Sequence, residues 1–130
     1  MADSYDPNVV RGDTVRWSMN LKDSAGATYI LTGSTLSMQI RSGHYPANLI
    51  VSYSVNITSG TTLATLDGIT GRLAATGTGG TINVCVGSNY TKLFPAYTPV
   101  FYDIQEQTNT LNTVTLLQGK INTTLDVTNT

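Results

Sequence analysis

Apolar and polar residues alternate with a period of two along most of this chain. Such a pattern sends one set of side chains to each face of a strand and leaves no room for a long amphipathic helix. Over 14–21, Val15, Trp17, Met19 and Leu21 alternate with Thr14, Arg16, Ser18 and Asn20. Leu36, Met38 and Ile40 face in against Ser37, Gln39 and Arg41. Residues 49–57 put Leu49, Val51, Tyr53, Val55 and Ile57 on one side. Ile82, Val84 and Val86 form another inward set. Val100, Tyr102 and Ile104 do the same, with Phe101, Asp103 and Gln105 opposite.

The segments between these strands carry turn chemistry. Lys22-Asp23-Ser24-Ala25-Gly26 reads as a turn followed by a short return strand over 29–31. Gly43-His44-Tyr45-Pro46 breaks the alternation, and Asn109-Thr110-Leu111-Asn112 reads as a hairpin loop. The Thr- and Gly-rich stretch 59–80, with Leu63, Leu66, Ile69 and Leu73 as apolar anchors, predicts one or two short edge strands. Ser88 is placed to cap a single helical turn near 89–94, before Pro95. In the last strand Val114 and Leu116 share one parity, whereas Leu117, Ile121, Leu125 and Val127 share the other. A one-residue slip reverses the faces, so burying both sets requires a bulge near Leu116.

Short strands at intervals of roughly 8 to 12 residues predict an all-β, immunoglobulin-like antiparallel β-sandwich of about seven to eight strands, with a small barrel as the alternative. Trp17 does not decide between them, because a lone cysteine cannot supply the disulfide beside which antibody domains bury their tryptophan. The 130 residues suffice for one domain. Residues 1–9 are expected to form an N-terminal arm and 10–130 the sandwich.

Composition narrows the partners. Charged residues make up 12% of the chain, against roughly 25% in an ordinary soluble domain. The seven Lys and Arg and eight Asp and Glu are scattered singly, which gives no basic stripe for phosphate contacts and argues against a nucleic-acid partner. No apolar run approaches the roughly 20 residues of a membrane helix. The opening residues are acidic and polar rather than signal-like, so synthesis and folding in a cytosol are expected. Cys85, within Ile82-Asn83-Val84-Cys85-Val86, excludes a disulfide framework or a four-cysteine zinc site, and is expected to be a small packed residue with no group nearby to stabilise a thiolate. Sequons at Asn56, Asn89 and Asn122 are expected by chance in a chain this rich in Asn and Thr.

Chemistry is sparse. The only histidine, His44, lies in an expected loop and has no second histidine with which to build a metal site or triad. Asp103 and Glu106 fall on opposite faces of one strand, and strand-end solvation accounts for them. Gly77-Thr78-Gly79-Gly80 leads into a strand and reads as a turn rather than a phosphate cradle. Arg11-Gly12-Asp13 matches an integrin-binding tripeptide, but its position before the first long strand reads as a bend permitted by Gly12. No catalytic, cofactor or metal residues are expected, and the chain reads as a non-enzyme. The candidate interface residues are Tyr5, Tyr45, Pro46, Tyr97 and Phe101, which offer amphipathic contact area. The competing reading packs Tyr97 and Phe101 on the helical turn.

The order of motifs adds a resemblance. Arg11-Gly12-Asp13-Thr14 opens a strand, then come Leu21-Lys22-Asp23-Ser24-Ala25-Gly26, Leu31-Thr32-Gly33-Ser34 and Leu36-Ser37-Met38-Gln39-Ile40-Arg41. Tyr102-Asp103-Ile104, Leu116-Leu117-Gln118-Gly119-Lys120-Ile121 and Asp126-Val127-Thr128 follow. This series resembles an immunoglobulin-like structural domain of tailed bacteriophages, similar to the N-terminal domain of phage baseplate upper proteins. Where that family usually has a Pro-Ala-Gly turn and a Tyr-x-Tyr-Asp strand, this chain has Pro95-Ala96-Tyr97-Thr98-Pro99 and Val100-Phe101-Tyr102-Asp103. The resemblance implies a virion location after synthesis in the bacterial host cytoplasm. It also implies a non-catalytic role in the tail, baseplate or neck, with other virion proteins and copies of itself in a symmetric assembly as partners. Capsid decoration and host-surface glycan binding through Tyr45 or Tyr97 are the alternatives.

Overall fold

The alternating segments close into two layers. A computed structural model describes residues 3–23, 25–43, 48–57, 61–62, 69–76, 80–95, 97–108 and 112–125. Its elements in chain order are β1 (Asp3–Ser4), β2 (Asn8–Val10), β3 (Val15–Asn20), β4 (Thr35–Arg41), β5 (Leu49–Asn56), β6 (Thr61–Thr62), β7 (Gly71–Thr76), β8 (Thr81–Val86), α1 (Ser88–Thr91), β9 (Val100–Gln107) and β10 (Thr113–Thr124). One sheet runs β1-β10-β9-β4-β5, with β2 also on β10, and the other runs β3-β8-β7-β6. The orders β10-β9-β4-β5 and β3-β8-β7 correspond to the G-F-C-C′ and B-E-D strands of a variable-type immunoglobulin domain. The fold is an immunoglobulin-like β-sandwich, as the periodicity predicts.

Side chains of one parity meet between the layers. Leu36, Met38, Ile40, Val100, Ile104, Leu117 and Ile121 of the first sheet face Leu73, Ala75, Ile82, Val84 and Val86 of the second, all buried. Each large apolar side chain so buried contributes roughly 1.5–3 kcal/mol. The expected bulge is present: Thr115 pairs with Gln105 and Leu117 with Ile104, leaving Leu116 as the extra residue. Val114 therefore stands opposite the inward Glu106 while Leu117 stands opposite the inward Ile104, so both parities turn to the same side.

The segment expected as an N-terminal arm runs parallel to the last strand. Asp3 and Ser4 pair with Leu117 and Gln118, and Asn8 to Val10 pair with Asn122 to Thr124. Between the two stretches the Lys120 N–H donates to Asp6 Oδ1 at 3.0 Å and the Asn122 N–H to the Pro7 carbonyl at 3.0 Å. Gly119 permits this approach, since a Cβ there would collide with the Tyr5 carbonyl. Chain reversal into β3 follows at Arg11-Gly12-Asp13, where Gly12 takes φ +91°, the bend read from the sequence.

Four local expectations are corrected. Residues 29–31 form no strand; among the described residues the return makes one bridge, Lys22 with Thr28, because Tyr29 and Leu31 turn toward β9 and the core instead. β7 is not an edge strand but lies between β6 and β8, with Leu73, Ala74 and Ala75 buried. Ser88 is the first residue of α1 rather than its cap. Gly87 holds the cap position and its carbonyl accepts from the Tyr90 and Thr91 N–H groups, while a Cβ on Gly87 would strike the Ile69 carbonyl. Leu125 is 52% exposed, lying just beyond the end of β10; Val127 falls outside the described residues.

Candidate functional site

The outward face of β10, β9 and β4 carries an ordered polar surface. Register aligns its side chains in rows: Lys120, Phe101 and Arg41 in one, Gln118, Asp103 and Gln39 in the next, and Thr115, Gln105 and Ser37 in a third. Cross-strand neighbours on one face lie close enough to interact as pairs. With Ser4 and Asp6 from the N-terminal segment on one flank, these rows, Thr115 apart, line an open groove of about 670 Å³.

Hydrogen bonds order the groove floor. Gln105 Nε2 donates to Asp103 Oδ2 at 3.2 Å, and Arg41 Nη2 donates to Gln39 Oε1 at 2.9 Å. Partial burial pushes the Asp103 carboxyl above its usual range, while the Gln105 donor and the Arg41 charge act in the opposite direction. The Tyr102 phenol, on the inward face, is also raised, first by burial and then by the charge of Asp6 and by Tyr5. Its hydroxyl donates to the Tyr5 carbonyl at 2.6 Å. Arranged amides, one aromatic ring and balanced charges suit a surface that binds by hydrogen bonds and contact area.

A second concavity lies at the seam where the two layers end side by side. Ser4, Tyr5, Trp17, Ser18, Met19 and Leu117 line a cleft of about 410 Å³. Trp17 stacks obliquely between Tyr5, with ring centres 5.8 Å apart, and Tyr102, at 5.5 Å. Its indole N–H is buried and has no acceptor among the described residues.

The interface candidates separate. Phe101 lies in the groove. Tyr5 is 46% exposed and borders the seam cleft. Tyr97 is 73% exposed with φ 61°, its N–H donating to the Thr123 carbonyl at 2.7 Å. Tyr45 and Pro46, with His44, lie outside the described residues. In the helical turn, Tyr90 of α1 meets Tyr53 edge-on at 6.2 Å.

Two readings of single residues change. Glu106 is 2% exposed and accepts from Tyr29 Oη and Ser34 Oγ, both at 2.6 Å, rather than being solvated at a strand end. Cys85 is buried as expected, but it lies on the outward face of its sheet with Arg16 and Arg72 as cross-strand neighbours. Sequence alternation assigns Gln39, Asp103, Gln118 and Lys120 a face, yet nothing local aligns them into rows, because register between distant strands is a tertiary property.

Among the described residues no cluster of His, Cys, Asp and Glu has the grouping of a metal site, and no helix is long and apolar enough to cross a membrane. No protein-family model matches the chain, and no curated protein matches it significantly.

Proposed function

We propose that this chain is a non-enzymatic structural protein of a tailed-bacteriophage virion, a tail, baseplate or neck module that docks onto neighbouring virion proteins and onto copies of itself. One observation carries the reading. Three of the segments that resemble the phage domain, 36–41, 102–104 and 116–121, lie in β4, β9 and β10, the strands that build the polar groove. Covering a face whose few charges are balanced among amides and hydroxyls forfeits less hydration than covering one of isolated ions, provided the partner supplies hydrogen bonds. Mass spectrometry of purified virions tests this, with the chain expected in stoichiometric amount; its absence from intact particles overturns the proposal. Antibody labelling over the head rather than the tail would replace it with capsid decoration.

Glycan binding has one specific observation in its favour. Phe101 lies between Lys120 and Arg41 beside an amide row, an arrangement able to stack on a sugar ring and bond its hydroxyls. Binding on a glycan array that is lost in Phe101→Ala would support this reading, and an array without signal would remove it.

A further inference from the structure

β3 ends its sheet. It pairs with β8 on one side and with no strand on the other among the described residues. Because the Leu21 N–H donates across to the Gly80 carbonyl, antiparallel alternation turns the backbone N–H and C=O groups of Arg16, Ser18 and Asn20 to the open side. An open edge of this kind is a template for another strand. The chain's own N-terminal segment, which could have filled the position, is committed to β10 in the other sheet.

Side-chain chemistry on the two faces of this edge differs. Inward, the half-buried Trp17 and Met19 border the seam cleft with Tyr5 and Leu117, a space large enough for an apolar side chain. Outward, the sheet carries Arg16 and Arg72, and β3, β7 and β8 contain no acidic residue. A second copy of β3 would bring another arginine to that face and another indole to the cleft, so self-pairing is the poorer match.

We propose that the β3 edge accepts an extended segment of a different polypeptide, with an apolar side chain seated between Tyr5 and Met19 and an acidic residue beside Arg16. Main-chain bonds to Arg16, Ser18 and Asn20 supply affinity, and the cleft and the arginine supply sequence preference. The inference deepens the docking role proposed above and rests on it for its biological setting, but its test needs only the purified chain.

A displayed library of random dodecapeptides is selected on the purified protein. Enriched sequences should alternate apolar with polar or acidic residues. A synthetic peptide of the enriched sequence should shift the emission of Trp17, the only tryptophan, and slow hydrogen exchange at Arg16, Ser18 and Asn20. Ser18→Pro removes an open-side N–H and no ladder bond, a substitution that edge strands tolerate, and should weaken binding at least about tenfold. Arg16→Glu, which leaves the backbone intact, should reverse the acidic preference even if the proline variant folds poorly. Absence of enrichment, binding indifferent to both substitutions, protection confined to β5, or a concentration-dependent Trp17 shift without peptide would overturn the proposal, the last by showing self-pairing. A chain absent from virions yet binding such peptides would sink the virion role alone.

Discussion

Glu106 shows how much one residue can carry when its surroundings are non-local. It accepts hydroxyl bonds from Tyr29 and Ser34, both in the connection between β3 and β4, and so ties that connection to β9. The hydrogen bond to Glu106, followed by desolvation and the carboxylate's charge, raises the Tyr29 phenol from 10.0 to about 12. Between those values the unfolded chain releases the Tyr29 proton and the folded chain keeps it. The stabilisation is therefore present below pH 10 and is lost as pH rises through about 12. Tyr29→Phe should cost about 1.5–3 kcal/mol at neutral pH, with the gap from the parent narrowing in alkali, as followed by urea unfolding at stepped pH. A constant gap would show that the bond does not set the pKa. Gly119 makes a steric case: Gly119→Ala should cost about 1–3 kcal/mol and speed hydrogen exchange at the Tyr5 and Asn122 amides, which bond across this contact. Unchanged exchange would mean the N-terminal segment is held elsewhere.

At the level of elements, β10 is the most legible strand and β7 the least. The parity slip around Leu116 forces a bulge because both flanks are apolar and only one face is dry, and the bulge falls at that residue. Deleting Leu116 leaves Val114 and Leu117 two residues apart, on one face of an unbroken ladder, so it should cost about as much as Leu116→Ala, which keeps the bulge and loses the same buried side chain. Denaturant midpoints of the two variants decide this, and a far larger loss on deletion would show that the bulge itself, rather than the side chain, is needed. A strand within 59–80 is expected, but the inner position of β7 is hidden because Gly71-Arg72-Leu73-Ala74-Ala75-Thr76 lacks clean alternation: Ala74 is buried on the outward side as Ala75 is on the inward one. Small residues carry too little apolar contrast for the period to register. The helical turn was visible from its polar run and proline, yet its cap was not, because the choice of Gly87 comes from the close approach of the Ile69 carbonyl.

For the whole molecule, the first strands meet the last: β1 and β2 lie along β10 and cover its outer edge. Removing residues 1–10 should forfeit the burial of Val9, about 1.5–3 kcal/mol by itself, and leave the twelve-residue β10 open to pairing with other molecules. Sedimentation velocity should then show association absent from the parent chain; a stable monomeric truncation would mean that the segment is an accessory arm after all. The period of two, the turn residues and the parity slip are local, and they sufficed to assign faces, most strand positions, the bulge and the sandwich class. Which strand lies beside which depends on closing long loops against an entropic cost recovered only when the core forms, and no short window of residues records that balance. Only the tertiary structure could therefore place the first residues on the last strand, bury Glu106, set Phe101 between two cations and leave the edge of β3 open.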